Sequence, residues 1–114
     1  MQRDEATLLD ILQAARLAQE FTAGLDKDEL LDDRLLQSSV LYQLVVLGEG
    51  VRRLSDAFRQ ANGEMPWRQI AGMRDHVVHG YDAVDLEEVW NTLKRDIPPL
   101  IAWLESHLAI EGTA

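Results

Sequence analysis

Residues 74–81 read RDHVVHGY, placing Arg74, Asp75, His76, His79 and Tyr81 within eight positions of a 114-residue chain that has three histidines in all. Three chemistries use such residues. His76 and His79, three apart on a helix, can share a metal ion with Asp75. Zinc sites take three or four protein ligands, however, and no partner pair stands elsewhere, so no metal site is assigned. Nucleophilic triads need an activated cysteine or serine; the chain has no cysteine, and no serine lies in a recognisable motif. The third chemistry is metal-free RNA cleavage, in which a ribose 2′-hydroxyl attacks its own phosphate. It needs a group titrating near neutrality and a fixed cation for the developing phosphorane charge. His79 and Arg74 are the two types required. Five positions correspond to about 140° around an ideal helix, so the pair converges only if the arginine reaches round or the helix loosens before Gly80. By spacing alone, a helix end at which His79 merely caps carbonyls fits equally well.

The elements that must position these residues are helical throughout. Apolar residues recur at helical spacing, and no segment sustains two-residue alternation, so the fold class is all-α. A first helix spans roughly residues 4–23, with Leu8, Leu12, Ala15 and Ala18 on one face, and ends at Gly24. The acidic link LDKDELLDDR forms a short helical turn. From about Arg34 to Ala61 the longest helix carries Leu36, Val40, Leu44, Leu47, Val51, Leu54 and Phe58, a stripe that Leu41 and Val45 widen beyond what one neighbour covers. Asn62-Gly63 ends it. Pro66 opens the next helix, which runs through Trp67, Ile70 and Met73 to the histidines and stops at Gly80. Asp85 and Glu88 form a capping box for the last helix, whose stripe is Leu86, Trp90, Leu93, Ile97, Leu104 and Leu108 and which Pro98-Pro99 should kink. The expected architecture is one domain over residues 1–114, a compact antiparallel bundle of four main helices plus the short turn, homodimeric through the widened stripe.

Charge narrows the partners. The chain carries a formal −9, which argues against a generic nucleic-acid binder. The average hides a reversal between residues 50 and 74, where Arg52, Arg53, Arg59, Arg68 and Arg74 face only Asp56 and Glu64, a local +3 against −12 for the rest. Arginine forks onto phosphate oxygens, so Arg52, Arg53, Arg59 and Arg68 are candidate RNA ligands, although a solvated helix face explains them too. The opening MQRDEATLLD carries acids where a secretory signal needs a basic start and an apolar run, and no segment approaches a membrane span. A soluble, cytoplasmic protein without membrane contact is expected.

The stretch resembles the arginine, four residues, histidine, any residue, tyrosine motif of the HepT-like toxins, a branch of the HEPN superfamily also known as domain of unknown function 86. LLDILQAARLAQEF, DDRLLQSSVLYQLVVLGEGVRRLS and MPWRQIAGMRDHVVHGYDAVDLEEVWNTLKRDIPPL read like that family in the same order. Arg74, His79 and Tyr81 match the motif, and Asp75 stands where asparagine is commoner. His76 falls at a variable position and is given no catalytic role. Glu49, in LGEGV, resembles the acid of the family's GEA segment, and the expected role is to orient Arg74.

The resemblance implies a homodimer whose motifs face one another across a cleft, forming a metal-independent endoribonuclease with Arg74 and His79 catalytic and Asp75 and Glu49 supporting. It implies a type VII-like toxin–antitoxin pair, in which a cognate minimal nucleotidyltransferase uses ATP and a divalent metal to transfer AMP to Tyr81. No cofactor is expected for cleavage itself. A carboxylate at Asp75 would compete with phosphate for the guanidinium of Arg74. The rival function is a noncatalytic helical dimer that binds a nucleotide or the nucleotidyltransferase.

Overall fold

The computed structural model describes residues 2–73, 75 and 84–110. These are helical, with no strand element among them: α1 (Gln2–Phe21), α2 (Lys27–Asp32), α3 (Arg34–Arg53), α4 (Asp56–Ala61), α5 (Trp67–Ala71), α6 (Leu86–Asn91), a π turn (Thr92–Asp96) and α7 (Ile97–Ile110). The all-α expectation holds, but the division is finer than four main helices. Gly24 follows α1 at φ +77°, a left-handed conformation that glycine adopts without a Cβ clash. The acidic link is helical as α2, and it carries the full capping box: Asp26 accepts from the Glu29 N–H while Glu29 accepts from the Asp26 N–H. Asp33 both ends α2 and caps α3, accepting from the Leu36 N–H at 3.0 Å.

The core is one cluster. Leu8, Leu12, Ala15 and Ala18 of α1 meet Val40, Leu44, Leu47 and Val51 of α3, with Leu93, Ile97, Leu104 and Leu108 closing it from the C-terminal side. Most of the stripe residues read from the sequence are buried, while Leu36, Leu41, Phe58, Leu86 and Trp90 pack at its margin. Two glycines of α3 determine how near its neighbours lie. A Cβ on Gly50 would stand 2.7 Å from Ile11 Cγ1 of α1, and one on Gly48 would stand 3.1 Å from the Ala71 carbonyl oxygen of α5.

Two expectations about helix continuity fail, each for a local reason, and near Pro98-Pro99 the irregularity lies one turn earlier than expected. The helix from Arg34 to Ala61 breaks at Leu54, whose backbone is extended, because Ser55 is claimed twice over. The Asp4 carboxylate, 3% exposed, accepts from the Ser55 N–H at 2.9 Å and from its hydroxyl at 2.7 Å, and Ser55 Oγ caps α4 by accepting from the Phe58 N–H. The helix starting at Trp67 is interrupted after Ala71 by a turn at Gly72, and Met73 and Asp75 beyond it are helical again, with the Asp75 N–H bonded to the Gly72 carbonyl at 2.9 Å. At the other end, Pro98-Pro99 do not break α7. The ladder widens one turn earlier instead, where the Ile97 N–H reaches back five residues to the Thr92 carbonyl. Asp85 caps α6 through the Glu88 N–H as expected, but the Glu88 carboxylate pairs with Arg95 in place of closing the box.

Substituting Gly50 with valine should destabilise the fold by about 1–3 kcal/mol, since α1 must shift to admit the side chain; the urea midpoint measures it. Asp4 gives a pH signature. The Ser55 backbone N–H, then its hydroxyl, hold the Asp4 carboxyl below its ordinary value against the opposing effect of burial. A lowered folded value means that the stabilisation is complete above about pH 4 and fades as pH falls through that range. Asp4→Asn should therefore lower the urea midpoint at pH 7, with the gap to the parent closing below about pH 4.

Candidate functional site

Arg74, His76, His79, Gly80 and Tyr81 lie outside the described residues. What the structure gives is the framework on either side of them. Upstream, the Trp67 indole is buried, donates Nε1–H to the Asn62 carbonyl at 2.9 Å and stands edge-on to Trp103, centroids 5.3 Å apart. That pins the start of α5, and the contact between Gly48 and Ala71 pins its end against α3. Met73 is buried immediately beyond. Downstream, the Asp85 cap fixes the start of α6. The described residues that flank the motif are therefore fixed by packing on the upstream side and by the Asp85 cap on the downstream side.

Asp75 is exposed, and Arg52 Nη2 donates to its Oδ2 at 3.3 Å. Arg52 Nη1 lies 3.5 Å from Glu49 Oε1, one turn back on α3. The structure thus brings together three residues nominated from sequence. Glu49 sits beside Arg52; its expected contact with Arg74 lies outside the described residues. The other arginines are dispersed. Arg53 is 4.0 Å from Asp10 of α1, Arg59 pairs with Asp56 of its own helix at 2.7 Å, and Arg68 is exposed with no carboxylate in pairing range among the described residues. Among the described residues the four do not pair as one patch: two are turned toward acids elsewhere, and Arg52 reaches Asp75 of the motif segment.

Two features had no expectation. A cleft of about 590 Å³ lies between residues 64–73 and 88–100, the two stretches that the motif segment connects. Ile70, Met73 and Leu100 are among its apolar lining, and Glu64, Glu88 and Asp96 supply three carboxylates against the single Arg95. Arg95, the cation among its described lining residues, is itself paired with Asp96 at 3.0 Å and Glu88 at 3.3 Å. Its polar wall includes the π turn, whose extra residue per turn the proline pair signals only indirectly. The third histidine, His107, stacks on Trp103 at 4.8 Å and meets Phe58 edge-on, a packing role that the four-residue spacing from Trp103 could have suggested. Among the described residues no group of three or more His, Cys, Asp or Glu is placed to hold a metal ion, and no helix is long and apolar enough to cross a membrane.

Comparison with known proteins bears on the motif's chemistry through sequence. Residues 11–106 match the family described as Ribonuclease HepT-like. A protein of Thermococcus cleftensis named "Probable ribonuclease HepT" is 38% identical over 93 residues, covering 82% of this chain and 84% of its own. One from Methanocaldococcus jannaschii is 30% identical over 96 residues, 84% of this chain and 88% of its own, and one from Caldanaerobacter subterraneus is 33% identical over 90 residues, 79% and 80%; both are named "Putative RNase". No solved structure gives a significant match. On the extent of these matches, the chain belongs to the HepT-like ribonuclease family.

Proposed function

We propose that the chain is a metal-independent endoribonuclease, the toxin of a type VII-like pair with a cognate minimal nucleotidyltransferase. The observation that carries this reading is the presence of Arg74, His79 and Tyr81 at motif spacing in a chain that belongs to a ribonuclease family over residues 11–106. In the reaction, the ribose 2′-oxygen forms a bond to phosphorus as the bond to the 5′-oxygen breaks. A general base takes the 2′-hydroxyl proton, and a general acid returns one to the leaving 5′-oxygen. His79 serves this exchange, Arg74 holds the phosphorane charge, and the first product is a 2′,3′-cyclic phosphate. Asp75 and Glu49 support the site.

The active unit is a homodimer. Leu35 and Tyr42, seven residues apart on α3, are 79% and 65% exposed, and Glu49 follows at the next seven-residue step. The stripe widened by Leu41 and Val45 is itself half-buried, with Leu41 packed against the core, so the exposed leucine and tyrosine are what a second copy would cover, bringing two motif segments together. Tyr81 accepts AMP from the partner enzyme, which supplies ATP and a divalent metal; the adenylate places negative charge beside Arg74 and repels RNA. One observation favours a noncatalytic dimer that binds a nucleotide or the nucleotidyltransferase: Arg52, which contacts Asp75 of the motif, already lies within 3.5 Å of two carboxylates.

Purified protein should cleave RNA in the presence of EDTA, and His79→Ala should abolish this, whereas a noncatalytic dimer cleaves under neither condition. Arg74→Ala should cost about 2–4 kcal/mol of transition-state stabilisation in kcat/KM, the usual loss for a preorganised charge donor. His76→Ala should be far milder. Light scattering should give twice the 12.9 kDa chain mass, and a monomer at micromolar concentration would count against the shared site. Co-expression with the nucleotidyltransferase should add adenylate mass to Tyr81, and Tyr81→Phe should both lose the adduct and escape neutralisation.

A further inference from the structure

The four arginines nominated for RNA differ in what restrains them. Arg59, with its side chain 31% exposed, is bonded within its own helix at 2.7 Å, and Arg53 leans toward α1. Among the described residues, Arg52 is the one of the four that bridges α3 to the motif segment, with one nitrogen 3.3 Å from Asp75 and the other 3.5 Å from Glu49. All three side chains are between two-fifths and two-thirds exposed, so these are weak contacts that water and ions exchange readily. A phosphate offers the same planar fork two oxygens on one ligand, a better match than two separate carboxylates. Asp75 follows Arg74 directly in the chain, so a phosphate that takes Asp75's place on Arg52 sits alongside the motif.

We propose that Arg52 is an RNA phosphate ligand whose availability Asp75 controls. The RNA backbone and the Asp75 carboxylate compete for one guanidinium, while Glu49 keeps the side chain on this face of α3 when Asp75 releases it. The pair acts as a built-in threshold: Arg52 joins the site only when a phosphate arrives, and Asp75 sets how strongly RNA must bind to displace it. This rests on the ribonuclease reading and adds to it a positioning role for Asp75 that runs through α3.

The experiment is a double-mutant cycle read by fluorescence anisotropy, using single-stranded RNA with methylated 2′-hydroxyls so that binding is measured without cleavage. Asp75→Asn should tighten binding roughly two- to fivefold, the range that release of one exposed ion pair provides. In the Arg52→Gln background the same substitution should give less than half that gain. Arg52→Gln alone should weaken binding and reduce the slope of log affinity against log salt by about 0.7, the loss of one single-strand phosphate contact. If Arg52→Gln fails to fold, Arg52→Lys replaces it. The lysine keeps the salt slope while its point charge no longer forks between two partners, and the Asp75→Asn gain should again shrink. An equal gain from Asp75→Asn in both backgrounds would show a general charge effect and overturn the competition. An unchanged affinity and salt slope in Arg52→Gln would remove Arg52 from the site. In either case, a parent that binds and cleaves RNA leaves the enzyme reading standing, and a parent that does neither overturns both.

Discussion

The approach of α3 to its two neighbours is the constraint on which the rest of the arrangement depends. Gly50 brings α1 so near that a Cβ would meet Ile11 at 2.7 Å, and Gly48 brings the end of α5 near enough that a Cβ would stand 3.1 Å from the Ala71 carbonyl oxygen. Interiors are close-packed, so an added methyl at either place makes its neighbour give way. Glu49 lies between these glycines and is exposed, as is Arg52 one turn on. The contacts that bury the glycines thus fix where α3 presents this acid and this arginine, and how near α5 delivers Asp75 to them.

The second fixed point is the junction of α3 and α4. A buried carboxylate tolerates its surroundings only if its oxygens are bonded, and Ser55 supplies both a backbone and a side-chain donor to Asp4. The same hydroxyl accepts from Phe58, so a single serine ends one helix, starts another and holds the N-terminus of α1. Phe58 then enters the ring cluster with Trp67, Trp103 and His107 that anchors α5. Breaking the long helix is therefore what allows its last turns to fold toward the start of the segment leading to the motif.

Helical character and core membership were legible in the sequence because they are periodic. Val40, Leu44, Leu47 and Val51 announce a buried face, and Gly24 and Asp85 announce ends. The break at Leu54 was not legible, since the residue that causes it, Asp4, lies 51 positions away, and the local pattern of apolar residues continues unbroken through Phe58. The π turn was half-visible: two adjacent prolines signal a missing pair of donors but not the place where the ladder adjusts. The motif became specific only with the segments flanking RDHVVHGY, and the resemblance tied LGEGV to it through Glu49. The contact from Arg52 to Asp75 was not legible, because the two are 23 residues apart and on different elements.

Charge organisation reconciles an acidic chain with a polyanionic substrate. Arg16, Arg53, Arg59 and Arg95 each have a carboxylate within 4.0 Å, on α7, on α1, within α4 and around the π turn respectively. Such pairing cancels the long-range field that draws nucleic acid to basic proteins, leaving affinity to short-range contacts. A phosphate then gains only where a cation is weakly held and geometrically accessible. Arg52 meets both conditions, as its two contacts are long and its side chain is nearly half exposed. On the proposal made for Arg52, an acidic surface with a loosely tethered arginine beside the motif would favour RNA placed to reach that motif over RNA merely nearby, a selectivity that a uniformly basic face would forfeit.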